Sequence, residues 1–219
     1  MSDDFPVQVK VTLLGKSGVG KSSIMNRFIF DKFDQNIPST GGVSFVSKEI
    51  YLPDQDRTLT FNITDTVGQE KFRSLASMFY RDAKIIIFVY SIIDQSSFEE
   101  IQEYWYQATK EECSEDVIYA VVGNKSDLYK KEQVNSNEAI EFAQSINGIF
   151  QETSALSNTG IDVLFKELAK KFVNAKYDPY EKENKMKELY NKAEENTSKY
   201  SWKLTNPKDE PKKQKKSCC

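Results

Sequence analysis

Residues 15–22 constrain this chain more than any other stretch, because they read Gly-Lys-Ser-Gly-Val-Gly-Lys-Ser. A glycine, four residues of any kind and then Gly-Lys-Ser is the pattern of a phosphate-binding P-loop. The flanking sequence agrees with it: residues 7–14 predict a β-strand before the loop, and a helix is predicted from about Ser23. The alternative is a glycine turn that binds nothing. We favour phosphate binding because motif and context coincide.

Each part of such a loop has an expected role. The backbone N–H groups of Gly18, Val19 and Gly20 are expected to turn inward as an anion nest, beside the positive end of the helix dipole. Lys21 is expected to reach the terminal phosphates, and the Ser22 hydroxyl to ligate Mg²⁺. The loop alone does not say which nucleotide is bound.

Composition limits the remaining choices. A chain of 219 residues has room for one α/β domain and a remainder. Its net charge of −3 gives no general case for nucleic-acid binding, and with no histidine it has no histidine-based catalysis or zinc ligation. No signal-peptide pattern opens the sequence, and no apolar run approaches the ~20 residues of a membrane-spanning helix. We therefore expect a cytosolic protein, with Cys113 as a buried or half-buried thiol.

Strand and helix patterns alternate along the chain. After the P-loop helix, strands are predicted at residues 43–52, 59–63, 85–90, 117–122 and 149–153, and helices at residues 75–79, 96–112, 136–146 and 161–173. Turn residues at 53–57 make the first two of these strands an antiparallel hairpin. The pattern predicts an α/β fold: a mostly parallel sheet with one antiparallel hairpin strand and helices on both faces. A capping box at residues 96–99, a cap at Ser136 or Asn137 and a stop at Gly148 complete the prediction.

Two further segments, each after a predicted buried strand, point to guanine. The Asp127 carboxylate can accept hydrogen bonds from both guanine N1–H and the 2-amino group, donors that adenine lacks. Asn124 and Lys125 are expected to brace this loop and cover the base. An Asn-x-x-Asp turn that satisfies itself is the alternative. In residues 154–156, the Ala155 N–H is placed to donate to guanine O6.

A third segment, residues 65–69, is expected to face the γ-phosphate. Asp65 would hold Mg²⁺ through a water, the Gly68 N–H would sense the phosphate and Gln69 would orient the attacking water. Thr40, in the polar loop before the hairpin, would complete the Mg²⁺ shell when that phosphate is present.

Taken together, residues 7–173 resemble the small GTPases, and the Rab branch most closely. The resemblance lies in the motifs above and in Thr-Gly-Gly-Val-Ser-Phe at 40–45, Gly-Gln-Glu-Lys-Phe-Arg-Ser-Leu at 68–75 and Phe-Tyr-Arg at 79–81. It implies the three-layer P-loop GTPase fold and binding of GTP or GDP with Mg²⁺. It also implies that Phe33 stacks on the base edge, that Ser17 lies over the phosphates and that Ser23 touches the α-phosphate. Ser154, Ala155 and Leu156 then surround the purine.

The sequence departs from the family pattern at five positions. This chain has Gly41 where the family usually has a branched apolar residue, and Thr64 where it usually has Trp. It has Val67, Ser91 and Leu156 where the family usually has Ala, Asp and Lys, in that order. None of these changes removes a ligand. They keep open an alternative in which the chain hydrolyses GTP poorly and acts as a GTP-binding scaffold. A P-loop ATPase or nucleotide kinase is a further alternative, which Asp127 disfavours.

The C-terminal part differs in character from the rest. We place a domain boundary near residue 176, so that residues 1–176 form the GTPase domain and residues 177–219 a tail that is a solvated helix or disordered. The tail ends in Cys218 and Cys219, similar to the doubly prenylated Rab terminus; a free disulfide is the alternative. The resemblance implies a monomer that cycles between cytosol and the cytoplasmic face of membranes. Its implied partners are exchange factors, GTPase-activating proteins, effectors and a prenyl-binding escort.

Overall fold

Six strands form one sheet in the order β2-β3-β1-β4-β5-β6. The computed structural model describes residues 6–34, 42–66 and 73–174 of the chain. The strands are β1 Val7–Leu14, β2 Ser44–Leu52, β3 Arg57–Asp65, β4 Ile85–Ser91, β5 Ile118–Asn124 and β6 Ile149–Thr153. Every neighbouring pair is parallel except β2 and β3, which run antiparallel in register from Ser44 opposite Asp65 to Leu52 opposite Arg57. The predicted α/β sheet with one antiparallel hairpin strand is confirmed.

Helices connect the parallel strands. They are α1 Lys21–Phe30, α2 Arg73–Tyr80, α3 Gln95–Glu100, α4 Tyr106–Glu112, α5 Ser136–Ser145 and α6 Ile161–Val173. Short 3₁₀ segments cover Pro53–Gln55 in the hairpin turn and Ser126–Lys131 after β5. Within the three ranges that the structure describes, no helix has both the length and the apolar character needed to cross a bilayer.

The core has two layers, one on each face of the sheet. Strand β4 is buried along its whole length, and its side chains alternate between the layers. Ile85, Ile87 and Val89 belong to the cluster that includes apolar residues of α1 and α6. Ile86 and Phe88 belong to the opposite cluster, with apolar residues of α3 and α5. This burial on both faces explains why β4 reads as an uninterrupted apolar run.

The start of α3 differs from the sequence prediction. The capping box predicted at residues 96–99 is wrong, because the helix begins at Gln95 and Asp94 occupies the N-cap without a side-chain cap bond. The Ser97 hydroxyl instead donates to the Asp94 carbonyl oxygen at 2.6 Å and accepts from the Ser91 N–H at 3.0 Å. It therefore ties the helix start to the end of β4, a contact that the local pattern does not reveal.

The cap of α5 lies one residue before the first of the two predicted candidates. Asn135 is the N-cap, since its side-chain oxygen accepts from the Asn137 N–H at 2.9 Å, so neither Ser136 nor Asn137 has that role. At the other end, the Gly148 N–H donates to the Ala143 carbonyl oxygen at 2.7 Å, in agreement with the predicted stop.

One π-helical turn, Ile101–Trp105, separates α3 from α4. The sequence predicts a single regular helix here, and the backbone is continuous but locally widened. The Trp105 indole N–H donates to Glu100 at 3.0 Å, and the Thr109 hydroxyl donates to the Trp105 carbonyl oxygen at 3.0 Å. These side-chain bonds stabilise a turn in which the regular helical ladder is shifted.

Candidate nucleotide-binding site

The loop between β1 and α1 approaches its neighbours so closely that only glycine fits at two positions. A Cβ on Gly15 would lie 2.1 Å from the Val89 carbonyl oxygen, and a Cβ on Gly20 would lie 2.2 Å from Asn124 Nδ2. Both glycines also have positive φ, 142° and 101°. The P-loop glycines thus let the loop pack against the ends of β4 and β5, which places it at the carboxyl edge of the parallel strands.

Lys21, the first residue of α1, is buried with its charged end inside the loop. Its Nζ donates to the carbonyl oxygens of Gly15 at 2.8 Å and Lys16 at 3.0 Å. Burial lowers the pKa of Lys21 to about 8, although the nearby charge of Asp65 acts to raise it. A buried ammonium group of this kind is well suited to an anionic ligand such as a phosphate.

Ser22 and Asp65 bring two oxygen ligands together from different elements. The Ser22 hydroxyl donates to Asp65 Oδ2 at 2.5 Å. Asp65 ends β3 beside Leu13 of β1 and is 1% exposed, and its Oδ1 has no hydrogen-bond partner among the described residues. Burial raises the pKa of Asp65, while the Ser22 hydrogen bond and the charge of Lys21 lower it. A hydroxyl and an unsatisfied carboxylate oxygen fit the preference of Mg²⁺ for oxygen ligands.

The loop after β5 is tied directly to the P-loop. Asn124 Nδ2 donates to the Val19 carbonyl oxygen at 2.8 Å, and Lys125 Nζ donates to the Gly18 carbonyl oxygen at 2.8 Å. From the next strand, the Thr153 hydroxyl donates to Asn124 Oδ1 at 3.2 Å. Three carboxyl-end loops therefore form one connected polar site.

Asp127 lies against the loop after β6. The Ser154 hydroxyl donates to Asp127 Oδ1 at 2.6 Å and also accepts from the Ser157 N–H at 3.0 Å. Ala155 is buried, whereas Leu156 is exposed. Ser154 thus fixes the orientation of the carboxylate that the sequence assigns to base recognition.

Two basic residues that no sequence motif indicates also stabilise this site. Arg27 of α1 donates through Nε to the Ala155 carbonyl oxygen at 2.9 Å, which links the helix after the P-loop to the loop after β6. Lys16 Nζ lies 3.2 Å from Asp94 Oδ2 and 2.6 Å from the Ser96 hydroxyl. No local pattern signals either contact, because the partners are far apart in sequence.

The remaining predicted site residues divide into two groups. Ser17 is exposed at the tip of the P-loop, Ser23 is half-buried in α1, and Phe33 is half-buried and packed against the core cluster that contains α1. Residues outside the described ranges are Thr40, Gly68, Gln69, Cys218 and Cys219, together with the departures Gly41 and Val67.

Three other residues that the sequence singled out lie within the described ranges. Thr64 and Ser91 are both 2% exposed, so neither substitution presents its side chain to solvent. Cys113 is half-buried, as predicted.

Comparison with known proteins identifies the class. The Ras family model matches residues 10–174, so the chain belongs to the Ras family. Among curated proteins, Ras-related protein Rab-31 of Homo sapiens is 41% identical over 177 residues, which cover 81% of this chain and 88% of that protein. Ras-related protein Rab-22A of Canis lupus familiaris is 40% identical over 172 residues, 78% of this chain and 87% of that protein.

These relatives define the branch and the activity. The chain is a Rab-type GTPase, a switch in membrane traffic that hydrolyses GTP. Ras-family GTPases bind GTP or GDP together with Mg²⁺. Rab proteins associate with membranes and work with exchange factors, GTPase-activating proteins and effectors.

Proposed function

We propose that the loops after β1, β5 and β6, which are connected at the carboxyl edge of this sheet, bind guanine nucleotide. We further propose that the residues predicted from the sequence form the nucleotide site of the GTP switch. The observation that carries the proposal is the direct link between the two halves of the site, Asn124 to Val19 and Lys125 to Gly18, at 2.8 Å each. A ligand spanning both halves must carry phosphates at one end and a base at the other. The phosphates lie in the loop of residues 17–23.

Guanine is the base that fits Asp127. The Ser154 hydroxyl donates to Oδ1, and each carboxylate oxygen can accept more than one hydrogen bond, so both oxygens can still accept from the two guanine donors. Adenine would leave this carboxylate without those donors, and sites built on such pairing reject the analogue by ~10⁴-fold or more. Asn124 and Lys125 brace the loop, Phe33 stacks on the base edge, and residues 154–156 close the purine pocket.

Mg²⁺ is held by Ser22, by Asp65 through a water and, in the GTP form, by Thr40. Asp65 Oδ1 supports this assignment, because this buried carboxylate oxygen has no hydrogen-bond partner among the described residues and requires one. When bound, the ion neutralises charge on the phosphate oxygens. Gln69 orients the attacking water and Gly68 senses the γ-phosphate, so that hydrolysis releases the segments that contain them.

Base selectivity is tested by identifying the nucleotide that co-purifies with the full chain. We expect guanine nucleotide close to one per chain, and its loss in Asp127→Ala because the base loses its paired acceptor. Asp116→Ala, the same change at an exposed acidic residue away from these loops, is the matched control and retains the nucleotide. Adenine nucleotide in the parent protein, or full guanine retention in Asp127→Ala, would contradict the assignment.

We also propose the domain division and the anchor. Residues 1–176 form the GTPase domain, and residues 177–219 form a tether that carries isoprenoid chains on Cys218 and Cys219. Two chains suit stable anchoring, since one lipid chain binds only marginally, and nearby lysines add about 1 kcal/mol each on an anionic leaflet. A prenyl-binding escort would then return the protein to the cytosol.

The anchor is tested by deleting the last two residues. We expect nucleotide binding to be unchanged and membrane association in cells to be lost, measured by fractionation of the tagged full chain. Replacement of Ser217 by alanine is the control for a change at this terminus. Persistent membrane association of the shortened chain would refute the anchor.

A further inference from the structure

Arg27 of α1 holds the loop after β6 by two consecutive carbonyl oxygens. Its Nε donates to the Ala155 carbonyl oxygen at 2.9 Å, and its Nη2 donates to the Leu156 carbonyl oxygen at 3.4 Å. The Arg27 side chain is 15% exposed, so the guanidinium group is largely withdrawn from water. One planar cation with several fixed donors therefore sets the orientation of two neighbouring peptide groups.

A second set of hydrogen bonds holds the guanidinium group itself in place. Its Nη1 donates to the carbonyl oxygen of Asp31 at 2.8 Å and to Asp31 Oδ1 at 3.1 Å. The same carboxylate oxygen accepts from Asn158 Nδ2 at 3.1 Å. Asp31 is the C-cap of α1. Arg27, Asp31 and Asn158 thus form a clamp that joins the end of α1 to the loop after β6.

The carbonyl contacts determine where the N–H groups of this loop point. In a trans peptide the N–H lies opposite the carbonyl oxygen of the preceding residue. The Ser154 carbonyl oxygen accepts from the Thr159 N–H at 3.0 Å, so the Ala155 N–H points away from Thr159. The Ala155 carbonyl oxygen accepts from Arg27, so the Leu156 N–H points away from Arg27.

Within the described ranges, the Ala155 and Leu156 N–H groups have no hydrogen-bond partner. Ala155 is 3% exposed, and a buried backbone N–H without a partner is rare in proteins. The Ser154 hydroxyl donates to Asp127 Oδ1 at 2.6 Å, so the loop that carries these N–H groups is adjacent to the carboxylate assigned to the base. The unpartnered donors therefore point to an acceptor on the ligand.

We propose that Arg27 is a positioning residue for base selectivity: the clamp holds the Ala155 and Leu156 N–H groups towards the oxygen on C6 of guanine. The proposal rests on the guanine site proposed above. In that site Asp127 recognises the N1–H and the 2-amino group, which lie on the opposite side of the same edge from O6. Loss of the clamp is therefore expected to weaken recognition of O6 and to leave recognition by Asp127 intact.

Two nucleotides that each differ from GDP at one position separate these contributions. Inosine diphosphate lacks the 2-amino group, and 6-thioguanosine diphosphate has sulfur, a weaker acceptor, in place of O6. Affinities of the full chain with Mg²⁺ are measured by competition against a fluorescent GDP. We expect the parent to prefer GDP over the thio analogue by about fivefold, as one hydrogen bond contributes.

Arg27→Met retains an unbranched apolar side chain but has none of the donors. We expect it to lose most of the preference for GDP over the thio analogue and to keep the parent's preference for GDP over inosine diphosphate. Arg27→Lys keeps the charge without the planar fork, so it should lose the first preference as well. Arg57→Met, at an exposed arginine of β3, is the matched control and keeps both preferences.

Asp31→Gly tests the clamp without changing Arg27. Glycine accepts the positive φ of this C-cap, 52°, so the variant removes the carboxylate without backbone strain. We expect a reduced preference for GDP over the thio analogue. Asp56→Gly, at another exposed C-cap aspartate with a φ of 47°, is the control.

The outcomes separate this inference from the guanine site on which it rests. An unchanged preference for GDP over the thio analogue in folded Arg27→Met or in Asp31→Gly would overturn the role of the clamp. Equal loss of both preferences would also overturn it, because the effect would then not be confined to O6. Equal affinity of the parent for GDP and ADP would instead overturn the guanine site itself.

Discussion

Single residues decide how well this site is held together, and the sequence predicts some of them better than others. Ser22, Asp65, Asn124 and Asp127 lie in motifs whose spacing carries their chemistry, and the structure brings them to one edge of the sheet. Arg27 could not be predicted, because its acceptor lies 128 residues away and the identity of an arginine does not name its partner. Contacts of this kind depend on the fold, and no local pattern encodes them.

Cys113 illustrates how a residue's surroundings set its reactivity. Its thiol donates to the Tyr80 carbonyl oxygen at 3.2 Å, and burial together with the charge of Glu112 raises its pKa to about 11. Because the thiolate is the nucleophile, we expect iodoacetamide to label Cys113 at pH 8 about 100-fold more slowly than free cysteine. Below this pKa, the labelling rate should increase about tenfold for each unit by which the pH is raised, because the thiolate fraction increases by that factor.

Mass spectrometry of a variant with Cys218→Ser and Cys219→Ser measures this rate on a single thiol. The same variant unfolded in urea is the control, and it should be labelled like free cysteine. Equal rates for the folded and unfolded protein at pH 8 would contradict the assigned environment.

At the scale of elements, the sequence locates some strands and helices to the residue and others only to within two residues, as for β3 and β5. β4 ends within one residue of its prediction because burial on both faces gives it an uninterrupted apolar run, and β6 and α6 have their predicted bounds. The caps of α3 and α5 are not the residues that the sequence predicts, because the side chains of serine and asparagine have several hydrogen-bonding partners within reach. The π-helical turn Ile101–Trp105 is set by packing and by the Trp105 bond to Glu100, neither of which has a sequence signature.

The contact between the P-loop and β5 yields a prediction about stability. A Cβ at Gly20 would lie 2.2 Å from Asn124 Nδ2, whereas a Cβ at Gly18 would meet nothing within 4 Å. Both residues have positive φ, so Gly18→Ala is the matched control for backbone strain alone. We expect Gly20→Ala to lower the free energy of unfolding of the nucleotide-free protein by about 1–3 kcal/mol more than Gly18→Ala. Urea unfolding measures it, and equal losses would contradict this contact.

For the whole molecule, the central expectation concerns the rate of the switch. We expect the purified protein to hydrolyse GTP well below one turnover per second, because Gln69, in its proposed role, acts without an arginine from a second protein. Such an arginine contributes ~10³–10⁵-fold to the rate. Single-turnover hydrolysis measures the rate. Gln69→Leu should remain in the GTP form under the same conditions, whereas Gln55→Leu, in the hairpin turn, should match the parent. Unaided turnover of several per second, or a normal rate in Gln69→Leu, would contradict this account.

The strand order also has a consequence for how the chain acquires its ligand during synthesis. β1 is made first, yet it pairs with β3 and β4, which follow much later in the chain. The segments proposed to bind the base come later still, after β5 and β6, so a nascent chain contains its phosphate loop long before it contains them. A ligand stabilises only the states that bind it. On the proposed assignment, guanine nucleotide therefore stabilises the chain only after β6 has joined the sheet.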